Sequence, residues 1–199
     1  MHQYLQDTEY AASKLFEMLA YNRQELLGLE EEQRSALAKE ACYEITFRQR
    51  EMQSHANYWH GLFCEAVDSR MNLDNLIAQL QAQIFDKQFS LSAIAGAVFQ
   101  IAKQGISVVH QNKESCPPGR TVHGVQLKEI IWAARNQSLH FEEGKVKPHT
   151  AQVFDSLFQN GAGDIFANYN HPVNLAHDVL ILLGWNGYTA YKKDLISLL

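Results

Sequence analysis

Apolar residues recur at intervals of three and four along most of the chain, the spacing of one face of an α-helix. In the first third this spacing includes Leu15, Leu19 and Leu26, and a second run extends from about residue 30 to 58. Gly28 stands between the runs and predicts a break between two helices. The same region lacks proline and is rich in good helix formers, so we predict that it is helical throughout.

Two further helices are predicted over residues 73–84 and 94–106, where Leu, Ile and Val keep the same rhythm. Small residues at positions 95–97 would let another helix approach the second one closely. Short polar side chains favour helix N-termini because they bind free backbone amides. The expected caps are Asn72 or Asp74 for the first helix and Ser90 or Ser92 for the second.

Pro117 and Pro118 cannot continue a helix, because proline lacks an amide donor and restricts the residue before it. A loop of about a dozen residues is therefore expected. The pattern from Val125 to Phe141 then predicts a helix antiparallel to the preceding one. Gly144 and Pro148 are expected to end it.

After a polar connector, Pro172 is expected to open a final helix, interrupted near Gly184 and Gly187 and followed by a short amphipathic segment to Leu199. No alternating pattern with hairpin turns persists, so a sheet is not expected. We predict an all-α fold, an antiparallel helical bundle with an additional N-terminal helical region. Residues 1–70 would form that extension and residues 71–199 the bundle.

Composition narrows the possible functions. A chain of 199 residues with 46% hydrophobic and 20% charged residues is typical of a globular protein of one domain. The formal charge of −5 argues against a broad electrostatic grip on nucleic acid, so any such contact should be local. Three well-separated cysteines, no export leader and no apolar run of membrane length lead us to expect a cytoplasmic protein without membrane contact.

The segment Arg135-Asn136-Gln137-Ser138-Leu139-His140 carries the candidate chemistry. Arginine is permanently charged and histidine titrates near ~6.5, so together they can hold a phosphate and move a proton. Two other Arg–His pairs, Arg48 and Arg50 with His55, lie on a polar stretch that we interpret as a solvated helix face. Arg135 and His140 are therefore the better candidates for phosphodiester cleavage.

This Arg-x4–6-His pattern, with a polar residue after the arginine, resembles the signature of the HEPN superfamily from about Val125 to Gly144. The resemblance implies an all-helical, homodimeric, metal-independent ribonuclease without a cofactor. It further implies a toxin–antitoxin, stress or phage-defence setting, in which a protein regulator can restrain cleavage. Arg135 and His140 would be catalytic, and Asn136 would hold the substrate or the partner's histidine. In a helix, positions 135 and 140 are ~140° apart, so a two-fold dimer would complete the groove.

Neighbouring residues complete the predicted site. Glu143 follows His140 by three positions and could orient the imidazole, and Lys145 and Lys147 form the nearest basic patch for RNA. Two alternatives stay open: Arg135 pairs with Glu142 or another neighbour, or the bundle is a non-catalytic protein-interaction or RNA-binding module. Weaker candidates are His171, His177 and Asp178, which lack the spacing of a metal site, and Trp132, Trp185, Tyr188 and Tyr191, which could stack on bases.

Overall fold

The computed structural model describes residues 2–51 and 58–199, and its described elements are mainly α-helices. The predicted all-α class is confirmed. A hairpin of two short antiparallel strands, which the sequence pattern did not predict, precedes the third helix. In order the elements are α1 (Gln3–Glu51), α2 (Tyr58–His110), β1 (Thr121–Val122), β2 (Val125–Gln126), α3 (Leu127–His140), α4 (Pro148–Gln159), α5 (Ala176–Leu182) and α6 (Tyr188–Ile196), with 3₁₀ turns at Phe141–Glu143 and Asp164–Asn168.

The first helix is longer than predicted. α1 runs through Gly28 without interruption, so the break expected there is wrong. One glycine inside a helix costs only ~1 kcal/mol relative to alanine, and the good helix formers on both sides outweigh it. The second predicted helix, over residues 30–58, is the later part of α1 as far as Glu51, and its last residues lie outside the described chain.

The helices predicted over residues 73–84 and 94–106 are parts of one helix, α2. The caps expected at Asn72 or Asp74 and at Ser90 or Ser92 are therefore wrong. Short polar residues begin a helix only where the preceding chain leaves the helical conformation, and no glycine or proline between residues 72 and 94 enforces such a break.

The chain divides into two compact units, and both long helices contribute to each. The first unit contains the chain up to Asn22 and Phe89–Leu199, and the second contains Arg23–Gln88. This grouping differs from a division of the sequence near residue 70, which stays a prediction. Within the second unit, Leu29 packs against a buried cluster formed by Ala36, Leu73, Ile77 and Leu80.

An aromatic cluster forms much of the first unit's core. The rings of Phe99 and Trp185 stack with centroids 5.4 Å apart, and Tyr191 meets Trp185 edge-on at 5.0 Å. Phe16 of α1 adds a further ring 5.6 Å from that of Tyr191. Because Trp185 and Tyr191 are fully buried here, the possibility that they stack on bases is wrong: they are core residues.

Contacts between α2 and α3 confirm the predicted antiparallel packing. Ser138 lies against Gly96, where an added Cβ would be only 3.2 Å from the Ser138 hydroxyl oxygen. One turn further along α2, Gln100 accepts a hydrogen bond from Arg135. The small residue at position 96 therefore allows the close approach that brings the Arg135 side chain to α2.

The end of α3 is as predicted, whereas the next helix is not. Gly144 adopts a left-handed conformation with φ +62° and donates its amide to the Phe141 carbonyl, which ends the helical segment. Pro148, expected to terminate a helix, instead begins α4. Proline suits the first position of a helix, because the amide it lacks would have no intrahelical partner there.

The C-terminal elements follow the prediction except at Pro172. The expectation that Pro172 opens the helix is wrong, because α5 begins at Ala176, four residues further on. It ends at Leu182, and Gly184 then takes a left-handed conformation with φ +65°. α6 follows Gly187 and supplies the predicted last amphipathic segment.

Residues Ser69–His110 of α2 are long and apolar enough, by length and composition alone, to cross a membrane. The sequence predicts no such segment, because it contains no unbroken apolar run of membrane length. Core helices of water-soluble proteins pass the same test, and a third of the relevant window is buried by the protein itself. The expected cytoplasmic location stays a prediction.

Candidate functional site

Arg135 is half-buried near the C-terminal end of α3 and is held by two neutral amides. Its Nε donates to Gln100 Oε1 at 2.7 Å, and its Nη1 donates to Asn136 Oδ1 at 3.1 Å. No carboxylate among the described residues forms an ion pair with it, Glu142 included. The guanidinium is thus oriented without being neutralised, which leaves it able to bind an anion.

His140, the last residue of α3, is exposed to solvent. Its Nδ1 lies 2.7 Å from Glu143 Oε1, so the contact expected from the three-residue spacing is present. A carboxylate beside Nδ1 favours the imidazole tautomer that carries its proton on Nδ1. Nε2 is then left free to exchange a proton with a substrate. Glu143 therefore orients the imidazole on the surface rather than within the core.

The structure brings the predicted residues together in two pairs, Arg135 with Asn136 and His140 with Glu143. Within the described chain no hydrogen bond joins the two pairs. This matches the angular separation of positions 135 and 140 on a helix. One protomer therefore presents the two pairs as separate groups at the C-terminal end of α3.

A surface pocket of about 480 Å³ lies beside the arginine pair. Asn136 lines it, as does Lys147 from the predicted basic patch, whereas Arg135, His140 and Lys145 do not. Asn136 thus connects the pocket with the Arg135 guanidinium. Its Oδ1 accepts from Arg135 while its side chain forms part of the pocket wall.

Positive groups dominate the charged lining of this pocket. Lys103 lies with its ammonium 4.5 Å from the centre of the Trp132 ring, a cation–π contact. Lys113 and His149 share the Glu129 carboxylate, each at 2.7 Å. These contacts fix the Lys103 and Lys113 ammonium groups beside a space large enough for a small molecule.

Several of these groups could have been found in the sequence. In Lys147-Pro148-His149-Thr150, proline occupies the first position of a helix. Because proline is favoured at that position, the sequence could have predicted a helix N-terminus here, with Lys147, His149 and Thr150 around it. Gln100 and Lys113 gave no local signal. They reach the site only because α2 packs antiparallel to α3 and because the loop after α2 turns back towards it.

The remaining candidates contribute less. Trp132 lines the pocket, so stacking on a base stays a prediction for this residue. The alternative Arg–His pairs at Arg48, Arg50 and His55 lie among residues whose side chains are outside the described structure. Among the described residues, no group of three or more His, Cys, Asp or Glu side chains is arranged to hold a metal ion.

No family model, curated protein or solved structure matches this chain. The resemblance to the HEPN superfamily therefore depends on the sequence motif alone and stays a prediction.

Proposed function

We propose that the protein is a HEPN-like, metal-independent endoribonuclease whose site is built on the C-terminal end of α3. One observation carries this proposal: Arg135 is held by Gln100 and Asn136 without a carboxylate partner, five residues before an exposed histidine oriented by Glu143. An unneutralised, preorganised guanidinium is suited to the charge of a phosphodiester. The nearby imidazole supplies the proton transfer that cleavage requires.

The proposed reaction is an intramolecular transesterification. The ribose 2′-oxygen forms a bond to the adjacent phosphorus while the bond from phosphorus to the 5′-oxygen breaks, giving a 2′,3′-cyclic phosphate and a 5′-hydroxyl. His140 removes the proton from the 2′-hydroxyl or delivers one to the leaving 5′-oxygen. Arg135 stabilises the charge that develops on the phosphate oxygens, and Asn136 holds the guanidinium in position.

A non-catalytic RNA-binding or protein-interaction module is the second candidate. The observation that favours it is the separation of the two pairs within one protomer, since neither His140 nor Glu143 forms a hydrogen bond or ion pair with Arg135. Such a module would use Arg135 and the pocket lysines to bind its partner without cleaving it. Turnover measurements separate the two functions.

The test is cleavage of a synthetic RNA in the presence of EDTA. We expect wild type to cleave and Arg135→Ala and His140→Ala each to lose roughly 10²–10⁴-fold in rate, because each removes one chemical role. Matched controls are Arg34→Ala, at an exposed position in the second unit, and His2→Ala, at an exposed position just before α1. The products should carry 2′,3′-cyclic phosphates, and a 2′-deoxy substitution at the cleaved nucleotide should stop the reaction.

Two results would contradict the proposal. Unchanged cleavage by both site variants would assign the activity to another site or to a contaminant. Absence of cleavage by wild type, combined with RNA binding that depends on Arg135, would favour the non-catalytic module.

A further inference from the structure

The N-terminus of α4 opens onto the pocket beside Asn136. Its cap residue Lys147 and its second and third residues, His149 and Thr150, all line that pocket. The first backbone amides of a helix have no intrahelical acceptors and carry a partial positive charge, which makes a helix N-terminus favourable for anions. No side chain caps α4, and neither the His149 nor the Thr150 amide donates a hydrogen bond to an acceptor in the described chain.

Thr150 provides an independent sign that a ligand belongs here. The residue is only 1% exposed, and its hydroxyl oxygen has no hydrogen-bond partner among the described residues. A buried hydroxyl without a partner destabilises a folded protein, so such groups are rare and need an explanation. Because Thr150 lines the pocket, a ligand bound there can supply the missing partner once the side chain rotates about its Cα–Cβ bond and turns the hydroxyl toward it.

The charges around the pocket specify the kind of ligand. Lys103, Lys113 and Lys147 line it, against one lining carboxylate, Glu114. The Glu129 carboxylate that faces Lys113 also binds His149, so it is shared between two basic groups. Positive side chains, free helix amides and a hydroxyl donor together match the oxygens of a phosphate group.

We propose that this pocket binds a backbone phosphate of the RNA strand, next to the phosphate held by Arg135. The identity of the ligand rests on the proposed function, whereas the phosphate chemistry rests on the pocket alone. Asn136 lies between the two phosphate positions, because it bonds Arg135 and lines the pocket. The volume of about 480 Å³ leaves room for the attached ribose.

The decisive variant is Thr150→Val, which replaces the hydroxyl with a methyl group of similar size. Calorimetric titration with inorganic phosphate should show binding to wild type. The affinity of the variant for phosphate should be lower by roughly tenfold or more, because one hydrogen bond to a charged group is lost. The unfolding temperature in phosphate-free buffer should not fall, because the hydroxyl has no partner to lose. Thr189→Val is the matched control, since Thr189 lies in the first turn of α6 outside the pocket.

Lys147→Ala, at an exposed position, provides a second variant that does not depend on core packing. It should weaken phosphate binding more than Lys39→Ala, which removes an exposed lysine from the second unit. A wild type that does not bind phosphate, or phosphate binding that is unchanged in both Thr150→Val and Lys147→Ala, would overturn the site.

A short, uncleavable 2′-deoxy-substituted RNA tests the identity of the ligand. It should compete with inorganic phosphate for wild type and bind more weakly to Thr150→Val. If phosphate binding depends on Thr150 but this oligonucleotide does not compete, the assignment to an RNA phosphate is wrong. Failure of the proposed ribonuclease would instead appear as unchanged cleavage in Arg135→Ala, with phosphate binding intact.

Discussion

Two arginines in the first unit illustrate how partners distinguish structural from functional side chains. Arg120 donates to both carboxylate oxygens of Asp194, at 2.8–3.0 Å, and Asp194 also accepts from the buried Trp185 indole. The charge of Arg120 is therefore compensated by a carboxylate inside the fold. Arg135 is oriented by two amides whose oxygens carry no net charge, so its charge remains available to an anionic ligand.

Tyr4 allows a prediction about stability at high pH. Its hydroxyl donates to the Ile101 carbonyl at 2.7 Å, and burial raises its pKa to about 12, partly opposed by a backbone hydrogen bond from Gly105. The unfolded tyrosine titrates near ~10. As pH rises from about 10 to 12, the unfolded chain releases a proton that the folded protein retains, so the stabilising contribution of Tyr4 is lost over that interval.

The change that tests this is Tyr4→Phe, measured by urea unfolding at pH 8, 10 and 11. Wild type should be the more stable at pH 8, by about 1 kcal/mol for the lost hydrogen bond, and its advantage should shrink as the pH rises. Tyr10→Phe is the matched control in the same helix, because that ring is 76% exposed and its removal should give a nearly constant difference. A Tyr4→Phe difference that does not vary with pH would contradict the assignment.

The C-terminal end of α2 carries backbone strain. α2 ends at His110, and the following residue, Gln111, has a φ of +65° while its amide bonds the Ser107 carbonyl. This is the left-handed position that closes many helices, where glycine is favoured because it has no Cβ. Glutamine at this position therefore stores unfavourable backbone energy at the rim of the pocket.

Replacing Gln111 with glycine should stabilise the protein by roughly 0.5–1 kcal/mol, because relief of the left-handed strain exceeds the added freedom of the unfolded chain. Urea unfolding measures the change. Gln104→Gly is the matched control: Gln104 is exposed inside α2, where glycine should destabilise by about 1 kcal/mol. Destabilisation by Gln111→Gly would show that the glutamine side chain makes a contribution larger than the strain.

The elements were predictable to the extent that local chemistry decides them. The rhythm of Ile130, Ile131 and Ala134 identified α3, and Gly144 correctly marked its end, because periodicity and left-handed glycines are local signals. The prediction of two separate helices within α1 and two within α2 was wrong, because these boundaries are not decided by local signals. Gly28 and Ser90 can interrupt a helix but need not, and the outcome depends on the packing of the whole segment.

Likewise, only the part of the candidate site that lies on one helix could be predicted from the sequence. Arg135, His140 and their neighbour Glu143 were found from spacing along one helix. The groups that give Arg135 its orientation and the pocket its charge come from other elements: Gln100 from α2, and Thr150 from α4. No local pattern connects residues that are 35 positions apart, so the antiparallel packing of α2 on α3 has to be known before the site can be assembled.

At the scale of the whole molecule, the proposed catalysis would depend on a second copy of the chain. Arg135 and His140 belong to separate pairs within one protomer. A two-fold interface along the exposed end of α3 would place the arginine of one protomer opposite the histidine of its partner. Each dimer would then contain two equivalent composite sites, and an isolated protomer would contain none that is complete.

Mixed dimers test this arrangement directly. A protomer carrying Arg135→Ala and another carrying His140→Ala, co-expressed with different affinity tags and purified through both, should regain about half of the wild-type cleavage rate. One of the two sites then loses both residues, while the other keeps the intact arginine of one protomer and the intact histidine of its partner. Each variant alone should remain inactive.

The control is a doubly tagged dimer in which both protomers carry Arg135→Ala, which should stay inactive because neither site has its arginine. Sedimentation of wild type at micromolar concentration should show a dimer. An inactive mixed dimer would mean that each site takes both residues from one protomer, and a wild type that is active as a monomer would remove the need for a partner altogether. Either result would reject a composite site and require the two pairs on α3 to converge on substrate within a single chain.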